Sequence, residues 1–241
     1  MKIGILGTGM VGEAIGAKLV KNGHSVKLGS RQAGKAEAKA WVSAQGPLAS
    51  EGSFADAAAF GELVFHCGKG ALAVEIAEAA GAENLAGKIL IELTNPLDFS
   101  KGMPPSVTVP STDSMAERIQ ARQPKTRVVK TLNTLNCSLM VQPSLVPGDH
   151  NLFVCGNDLD AKQAVKDLLS REFGWKPAQL LDLGALSSAR GLECLVLTWV
   201  SIMGSLGHAT STGTSRWAPS RRPEAPSGRP SGAGLFHWGC V

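Results

Sequence analysis

The chain has no tyrosine, no Gly-x-Ser-x-Gly elbow and no paired Ser/His/Asp pattern, so neither a Tyr-x-x-x-Lys proton-donor dyad nor a hydrolase triad can be read in it. Its five cysteines (Cys67, Cys137, Cys155, Cys194, Cys240) are odd in number and scattered, with no Cys-x-x-Cys pair. That pattern argues for reduced thiols and against a disulfide framework or a thiolate zinc site. Five histidines show neither His-x-His nor His-x-x-x-His spacing, and no metal site is expected. Charge is scarce at 18%, while 44% hydrophobic residues exclude wholesale disorder. The net charge of +4 is carried mostly by residues 209–241, where four Arg face one acid, Glu224. The remaining 208 residues carry only +1, which argues against a nucleic-acid partner for the body of the protein. The first strand pattern starts at Lys2, leaving no room for a signal or transit peptide, so a cytoplasmic location is expected.

What is present is an alternation of short apolar runs and helical segments. Strands are expected at residues 2–6, 25–28, 63–67, 88–93, 127–132, 151–158 and 178–183. Helices are expected at 11–22, 34–45, 71–80, near 115–121 and at 161–172, the last opened by Asp158 and Asp160. Acids there suit the positive end of a helix dipole. Apolar strands with helices between them predict an α/β fold: a Rossmann, doubly wound, mostly parallel sheet with a small C-terminal α/β region. Residues 186–206 form an almost wholly apolar stretch, but Arg190 and Glu193 in its first turns favour a buried or subunit-facing helix over a membrane span. No membrane partner is expected, and a homodimer through this helix is. Beyond residue 207 the chain turns rich in Ser, Pro, Gly and Arg and contains no Lys. Residues 208–241 are expected to be disordered, and a frameshifted gene end would explain the abrupt change. The expected organisation is a dinucleotide-binding domain at 1–135, a substrate and dimer region at 136–207, and this tail.

Between the first strand and the first helix the chain reads Gly7-Thr8-Gly9-Met10-Val11-Gly12, a Gly-x-Gly-x-x-Gly loop. In such a loop the first glycine permits the turn, the second lets backbone approach a pyrophosphate, and the third allows close helix–strand packing. Gly16 one turn later would extend that packing. The helix N-terminus then offers its amides to the phosphates. One more absence now selects the cofactor: no acid occurs between Glu13 and Glu37. The place where a ribose 2′-hydroxyl is usually held by a carboxylate carries Ser30 and Arg31, with Lys35 four residues on. An acid would repel a 2′-phosphate, whereas a guanidinium grips one through paired charge-assisted hydrogen bonds. The reading is NADP, although a solvated basic loop would have the same composition.

Four stretches, "GILGTGMVG", "GSRQAGKAEAKA", "FVCGNDLDAKQAV" and "DLGALSSARGLECL", give the chain a family likeness over residues 1–207. It resembles the reductases that pass hydride between NADP and the deazaflavin coenzyme F420, together with their bacterial relatives, which "VVKTLNT" and "TNPLD" match better than the archaeal enzymes. The resemblance implies a Rossmann domain and a small C-terminal region that together make a cleft for a small-molecule co-substrate. One departure stands at the end of the strand 63–67, where archaeal members have an Ile-Pro-Trp-like turn and many relatives a Val-Pro turn. Here the chain reads "FHCGKG".

No catalytic constellation is legible, which suits hydride transfer between two planar rings held about 3–3.5 Å apart. His66, Cys67, Asn95, Pro96, Asn133 and Thr134 are the candidates for the nicotinamide and substrate pocket, because they follow strands whose carboxyl ends hold ligands in open parallel sheets. His66 and Cys67 read more readily as filling the end of a buried strand, where cysteine is common, Asn133 and Thr134 could equally cap the next segment, and Trp199 reads as core. A carbonyl reductase would need a proton donor, for which His66, Cys67 and Lys130 are the residues to test. Three functions therefore remain in play. They are hydride transfer between NADP and a deazaflavin or flavin-like acceptor, NADPH-dependent reduction of a small imine, carbonyl or ferric chelate, and non-catalytic NADP binding.

Overall fold

The computed structural model describes residues 1–206; the expected tail at 208–241 lies outside the described residues. β1 (Lys2–Leu6), α1 (Met10–Lys21), β2 (Ser25–Ser30), α2 (Ala36–Gln45), β3 (Ala49–Ser53), α3 (Phe54–Phe60) and β4 (Leu63–His66) open the chain. They are followed by α4 (Ala73–Ala80), α5 (Ala82–Leu85), β5 (Ile89–Glu92), β6 (Leu97–Asp98), β7 (Ser106–Val107), α6 (Met115–Arg122) and β8 (Arg127–Thr131). The chain then continues through α7 (Cys137–Val141), β9 (Leu152–Gly156), α8 (Leu159–Leu168), β10 (Leu180–Asp182) and α9 (Ala189–Leu206). Eight strands form one sheet in the order β10-β9-β8-β5-β4-β1-β2-β3. Every neighbouring pair is parallel except β8 and β9, which are antiparallel. β6 and β7 make a separate two-stranded antiparallel ladder. The doubly wound, mostly parallel sheet is therefore as expected, and the segment after residue 136 adds β9 and β10 to that same sheet.

The two faces of the sheet are read directly from strand alternation. Ile3 and Ile5 of β1 pack with Ile15 and Leu19 of α1 and with Leu139, Phe173 and Trp175. Leu6 faces the other way, towards Ala57 and Ala58 of α3, Ile76 of α4 and Ile119 of α6. Gly4 and Gly29 lie under α3, where a Cβ would come within 2.2 Å of Ala57 O and 2.8 Å of Ala57 Cβ respectively. Small residues on both sides let this Ala-rich helix sit almost on the sheet.

Between residues 45 and 63 sequence reading placed no element, and the structure places β3 and α3 there. β3 is an edge strand of sequence ASEGS with no β-branched residue, so it lacks the composition by which strands are recognised. Its pairing with β2 supplies what local preference does not. A capping box links the two elements: Ser53 Oγ accepts from Asp56 N–H at 3.1 Å, and Ser53 N–H donates to Asp56 Oδ2 at 2.8 Å. This Ser-x-x-Asp spacing was the available signal.

Asp158 is the N-cap of α8, accepting from Ala161 N–H at 2.9 Å, while Arg127 at the start of β8 grips both its oxygens at 2.6 and 2.8 Å. That guanidinium holds the Asp158 carboxyl well below the usual range. α9 presents a stripe of Ala189, Leu192, Glu193, Val196, Trp199 and Val200 to the protein. Trp199 packs with Leu97 of β6 and Val107 of β7, a core position. By length and composition alone, residues 186–206 could cross a membrane, but a third of that stretch is buried in the protein, a weak sign of a span.

Glu172 ties the segment after α8 to the C-terminal end of α1. It accepts from Asn22 Nδ2 at 3.0 Å, from Arg171 Nε at 2.7 Å, and lies 3.0 Å from His24 Nε2. Burial pushes its pKa up, but these donors outweigh it and bring the value to about 2, from the usual 4.5. A depressed carboxylate stabilises the fold fully above its unfolded value and loses that stabilisation as pH falls towards 2. At about 1.4 kcal/mol per pH unit, the contribution at neutral pH is about 3 kcal/mol. Glu172→Gln should therefore lower the urea midpoint at pH 7, and between pH 5 and pH 2 it should lose less stability than the wild type. Parallel pH profiles for the two proteins would contradict this.

Candidate functional site

A cavity of about 750 Å³ opens at the carboxyl edge of the sheet, where the strand order reverses around β1. Such a switch point is where open α/β sheets leave a crevice, because the loops leaving neighbouring strands diverge to opposite faces. Gly7, Thr8, Gly9, Met10 and Val11 form its floor. Gly7 has φ +136°, and a Cβ there would lie 2.5 Å from Cys67 O. At Gly12 a Cβ would lie 2.5 Å from Gly7 O, which is why α1 can start so close to β1. Gly9 is different: its φ of −88° is ordinary, and a Cβ would meet nothing within 4 Å. The space above Gly9 belongs to the cavity. The first bond of the helix runs from Glu13 N–H to Gly9 O at 3.0 Å, so the amides ahead of it have no acceptor inside the helix.

Ser30, Arg31, Gln32 and Lys35 line the end of the cavity beyond β2. Arg31 and Lys35 are exposed, and neither makes an ion pair or side-chain hydrogen bond among the described residues. Ser30 is buried and its hydroxyl donates to Gln32 O at 2.5 Å, shaping the loop that carries Arg31. The one nearby carboxylate the loop uses is Glu51 of β3, which accepts from Gly34 N–H at 2.8 Å.

On the opposite side the wall is made by Cys67, Gly68, Lys69 and Gly70 after β4, Thr94 and Asn95 after β5, and the apolar Leu72, Leu93, Leu135 and Met140. Burial, and then Glu92, push the Cys67 thiol far up, so it stays protonated. His66 does not line the cavity. It is fully buried, with Nε2 2.9 Å from Ala73 O and Nδ1 accepting from Gly68 N–H at 3.4 Å. Burial lowers its pKa, leaving a neutral ring that holds the 67–70 turn. Asn95 reaches the cavity, but Pro96, Asn133 and Thr134 are buried behind it. Asn95 Nδ2 donates to Asn133 O at 2.8 Å, and Asn133 Nδ2 donates to Asn95 Oδ1 and to Leu192 O, both at 3.0 Å. Leu132, with φ +66°, turns the chain out of β8 just before this amide pair. A β8 exit in the left-handed region is strained for leucine, and full burial holds it there.

Lys130 is not available as a proton donor to the cavity, because it is fully buried and its ammonium is already shared out. It bonds Glu92 of β5, donates to Thr94 O at 2.6 Å and meets Glu193 Oε1 of α9 at 3.0 Å. Burial works to lower its pKa, but Glu193 and Glu92 overrule it and hold Lys130 charged above the ordinary lysine value. For Glu193, burial prevails over Lys130 and raises the pKa. The backbone amides of Met115 and Ala116, at the N-terminus of α6, also donate to Glu193 at 2.9 and 3.3 Å. Sequence reading marked Lys130 and Glu193 separately but had no signal joining them.

The family model for NADP oxidoreductase, coenzyme F420-dependent, matches residues 2–96. The chain is 31% identical over 205 residues to the F420-dependent NADP reductase of Methanocaldococcus jannaschii, spanning 81% of this chain and 89% of that one. It is 30% identical over 200 residues to the metalloreductase STEAP3 of Rattus norvegicus, but spans only 36% of that protein's length. A crystal structure from Arthrobacter sp. FB24, provisionally described as an F420-dependent NADP reductase, superposes with a TM-score of 0.81 at 45% identity. That match covers 87% of this chain and 96% of the other.

Two variants separate framework from cavity. Lys130→Met leaves two carboxylates buried together and should cost about 3–5 kcal/mol of stability. Glu193→Gln removes the carboxylate that burial already penalises and should cost clearly less. Urea denaturation of both proteins checks the order, which equal losses would contradict. Gly9→Val should keep the circular dichroism spectrum and thermal midpoint of the wild type, since a Cβ there meets no atom of the described residues within 4 Å, yet abolish the fluorescence enhancement of added NADPH.

Proposed function

The chain belongs to the coenzyme F420-dependent NADP oxidoreductase family, and from that membership we propose that it passes hydride between NADP and a deazaflavin or flavin-like acceptor. The single observation that carries the cofactor assignment is the pair of uncommitted cations, Arg31 and Lys35, at the end of the cavity beyond β2. The residues present fit NADP. Arg31 and Lys35 would hold the 2′-phosphate, the open space over Gly9 and the first amides of α1 would take the pyrophosphate, and the wall after β4 and β5 would take the nicotinamide. The bound nicotinamide supplies the hydride chemistry.

What the protein contributes is orientation and a dry wall. Leu72, Leu93, Leu135 and Met140 exclude water beside Thr94 and Asn95. Among the described residues no Asp, Glu or His lines the cavity, and the Cys67 thiol is too weak an acid to give up its proton. This favours ring-to-ring transfer, which needs no proton from the enzyme, over carbonyl reduction, for which exposed Lys69 is the donor left on this wall. In this reading residues 1–135 form the cofactor half and 136–207 the acceptor and pairing half. We read the protein as a cytoplasmic homodimer, a reading supported by half-buried Leu195 and Ile202 on the outer flank of α9.

Mixing the protein with NADPH and oxidised F420, and following the loss of NADPH absorbance, tests the acceptor. Turnover with a ferric chelate or an imine and none with the deazaflavin would move the protein to the alternative class. NADPH binding with no turnover on any of them would make it a non-catalytic binder. Charge-assisted hydrogen bonds contribute about 1.5–3 kcal/mol, so Arg31→Ala should weaken NADPH by about ten- to a hundredfold. NADH affinity should scarcely move, and equal losses for the two cofactors would overturn the assignment of Arg31 to the 2′-phosphate.

A further inference from the structure

Three buried side-chain atoms have no hydrogen-bond partner among the described residues: Thr94 Oγ1, Gln123 Oε1 and His150 Nε2. Of the residues that carry them, only Thr94 belongs to the cavity wall. Buried polar groups are almost always bonded, because stripping water from a hydroxyl without replacement destabilises the protein. Its neighbours are satisfied. The Asn95 and Asn133 side chains are engaged with one another, and Asn133 also with Leu192 O. The main chain of Thr94 is held on both sides, its N–H donating to Glu92 Oε1 at 2.7 Å and its carbonyl accepting from Lys130 Nζ at 2.6 Å. A buried ion cluster thus fixes the peptide of Thr94 and leaves its hydroxyl uncommitted. Rotation about χ1 between staggered wells is the one freedom that remains.

We propose that the Thr94 hydroxyl recognises the carboxamide of the bound nicotinamide ring. The inference rests on the NADP reading of the cavity and adds the residue that would orient the reacting ring. Position supports it. Thr94 follows β5, two strands along from β1, and adjacent strands lie about 4.8 Å apart. It therefore stands roughly 10 Å from the pyrophosphate loop, on the side away from Arg31 and Lys35. Chemistry supports it too. A hydroxyl both donates and accepts, and a carboxamide offers an N–H and a carbonyl. The cavity-lining side chains of Leu93, Leu135 and Met140 give a ring face apolar contact but cannot fix its rotation. One directional bond at the edge of the ring would choose which face meets the acceptor.

The test uses the full-length protein, two ligands and two variants. NADPH reports on the whole cofactor, and adenosine 2′,5′-bisphosphate carries the 2′-phosphate end without the nicotinamide. Thr94→Val keeps the shape of the side chain and removes the hydroxyl; Thr94→Ser keeps the hydroxyl. By calorimetric titration, Thr94→Val should bind NADPH about threefold to tenfold more weakly and the bisphosphate as tightly as wild type does. Thr94→Ser should bind NADPH like the wild type. Without ligand, the thermal midpoint of Thr94→Val should be equal to or above that of the wild type, since no protein hydrogen bond is lost. Unchanged NADPH affinity in Thr94→Val, or an equal loss for both ligands, overturns the inference and leaves the NADP reading standing. If the wild type binds neither ligand, the NADP reading itself falls and takes the inference with it.

Discussion

The ammonium group of Lys130, buried between Glu92 and Glu193, is the interaction on which the far wall of the cavity depends. It joins β8 to β5, ties both to α9, and through Glu193 reaches the first amides of α6. All three of these groups are buried, so each requires the others: an ion pair moved out of water is tolerable only when its remaining bonding capacity is filled. The Glu92 oxygen not engaged with Lys130 accepts from Thr94 N–H, and Lys130 spends a further donor on Thr94 O. Thr94, two residues past the end of β5, is thereby held by charges rather than by ladder hydrogen bonds. Arg190 reinforces the same joint from α9, gripping Glu117 of α6 at 2.7 and 2.8 Å.

The two halves of the cavity are therefore built by different physics. On the β1 and β2 side, glycines bring backbone together and leave charges free: Gly7 and Gly12 are required by close approach, a Cβ on Gly9 would enter open space, and Arg31 and Lys35 make no ion pair among the described residues. On the β4 and β5 side, the buried charges and amides are consumed internally, and apart from Lys69 what reaches the cavity is apolar or neutral. A strongly anionic cofactor end and a neutral reacting ring would ask for such a division. His66 belongs to the second kind, a neutral ring holding a turn, which is why its place at the end of β4 did not make it part of the cavity wall.

Much of this was legible in the sequence wherever the determinants are local. The Gly-x-Gly-x-x-Gly spacing, the strand before it, the helix after it and the cations at the end of β2 all lie within the first 35 residues. The apolar runs of β4, β5 and β8 announce buried parallel strands because both faces of such a strand are covered. β3 and α3 escaped notice because neither Ala-Ser-Glu-Gly-Ser nor Phe-Ala-Asp-Ala-Ala-Ala-Phe has a strong preference of its own, and pairing with β2 and packing on Gly4 decide them. Asn95, Pro96, Asn133 and Thr134 were placed at the right edge of the sheet, but the sequence could not tell which of them would be turned inwards.

The doubly wound sheet, the glycine-rich loop and the positive charge of the pocket at the β2 end are written in the chain, since each rests on residue type and short spacing. Which polar groups on the other side are spent and which remain depends on contacts between distant residues. Lys130 meets Glu92 across 38 positions and Glu193 across 63, and Asn133 meets the carbonyl of Leu192 across 59. No local pattern encodes such meetings, because hydrogen-bond satisfaction is a property of where side chains end up in space. The hydroxyl of Thr94 stands out only after every bond around it has been assigned.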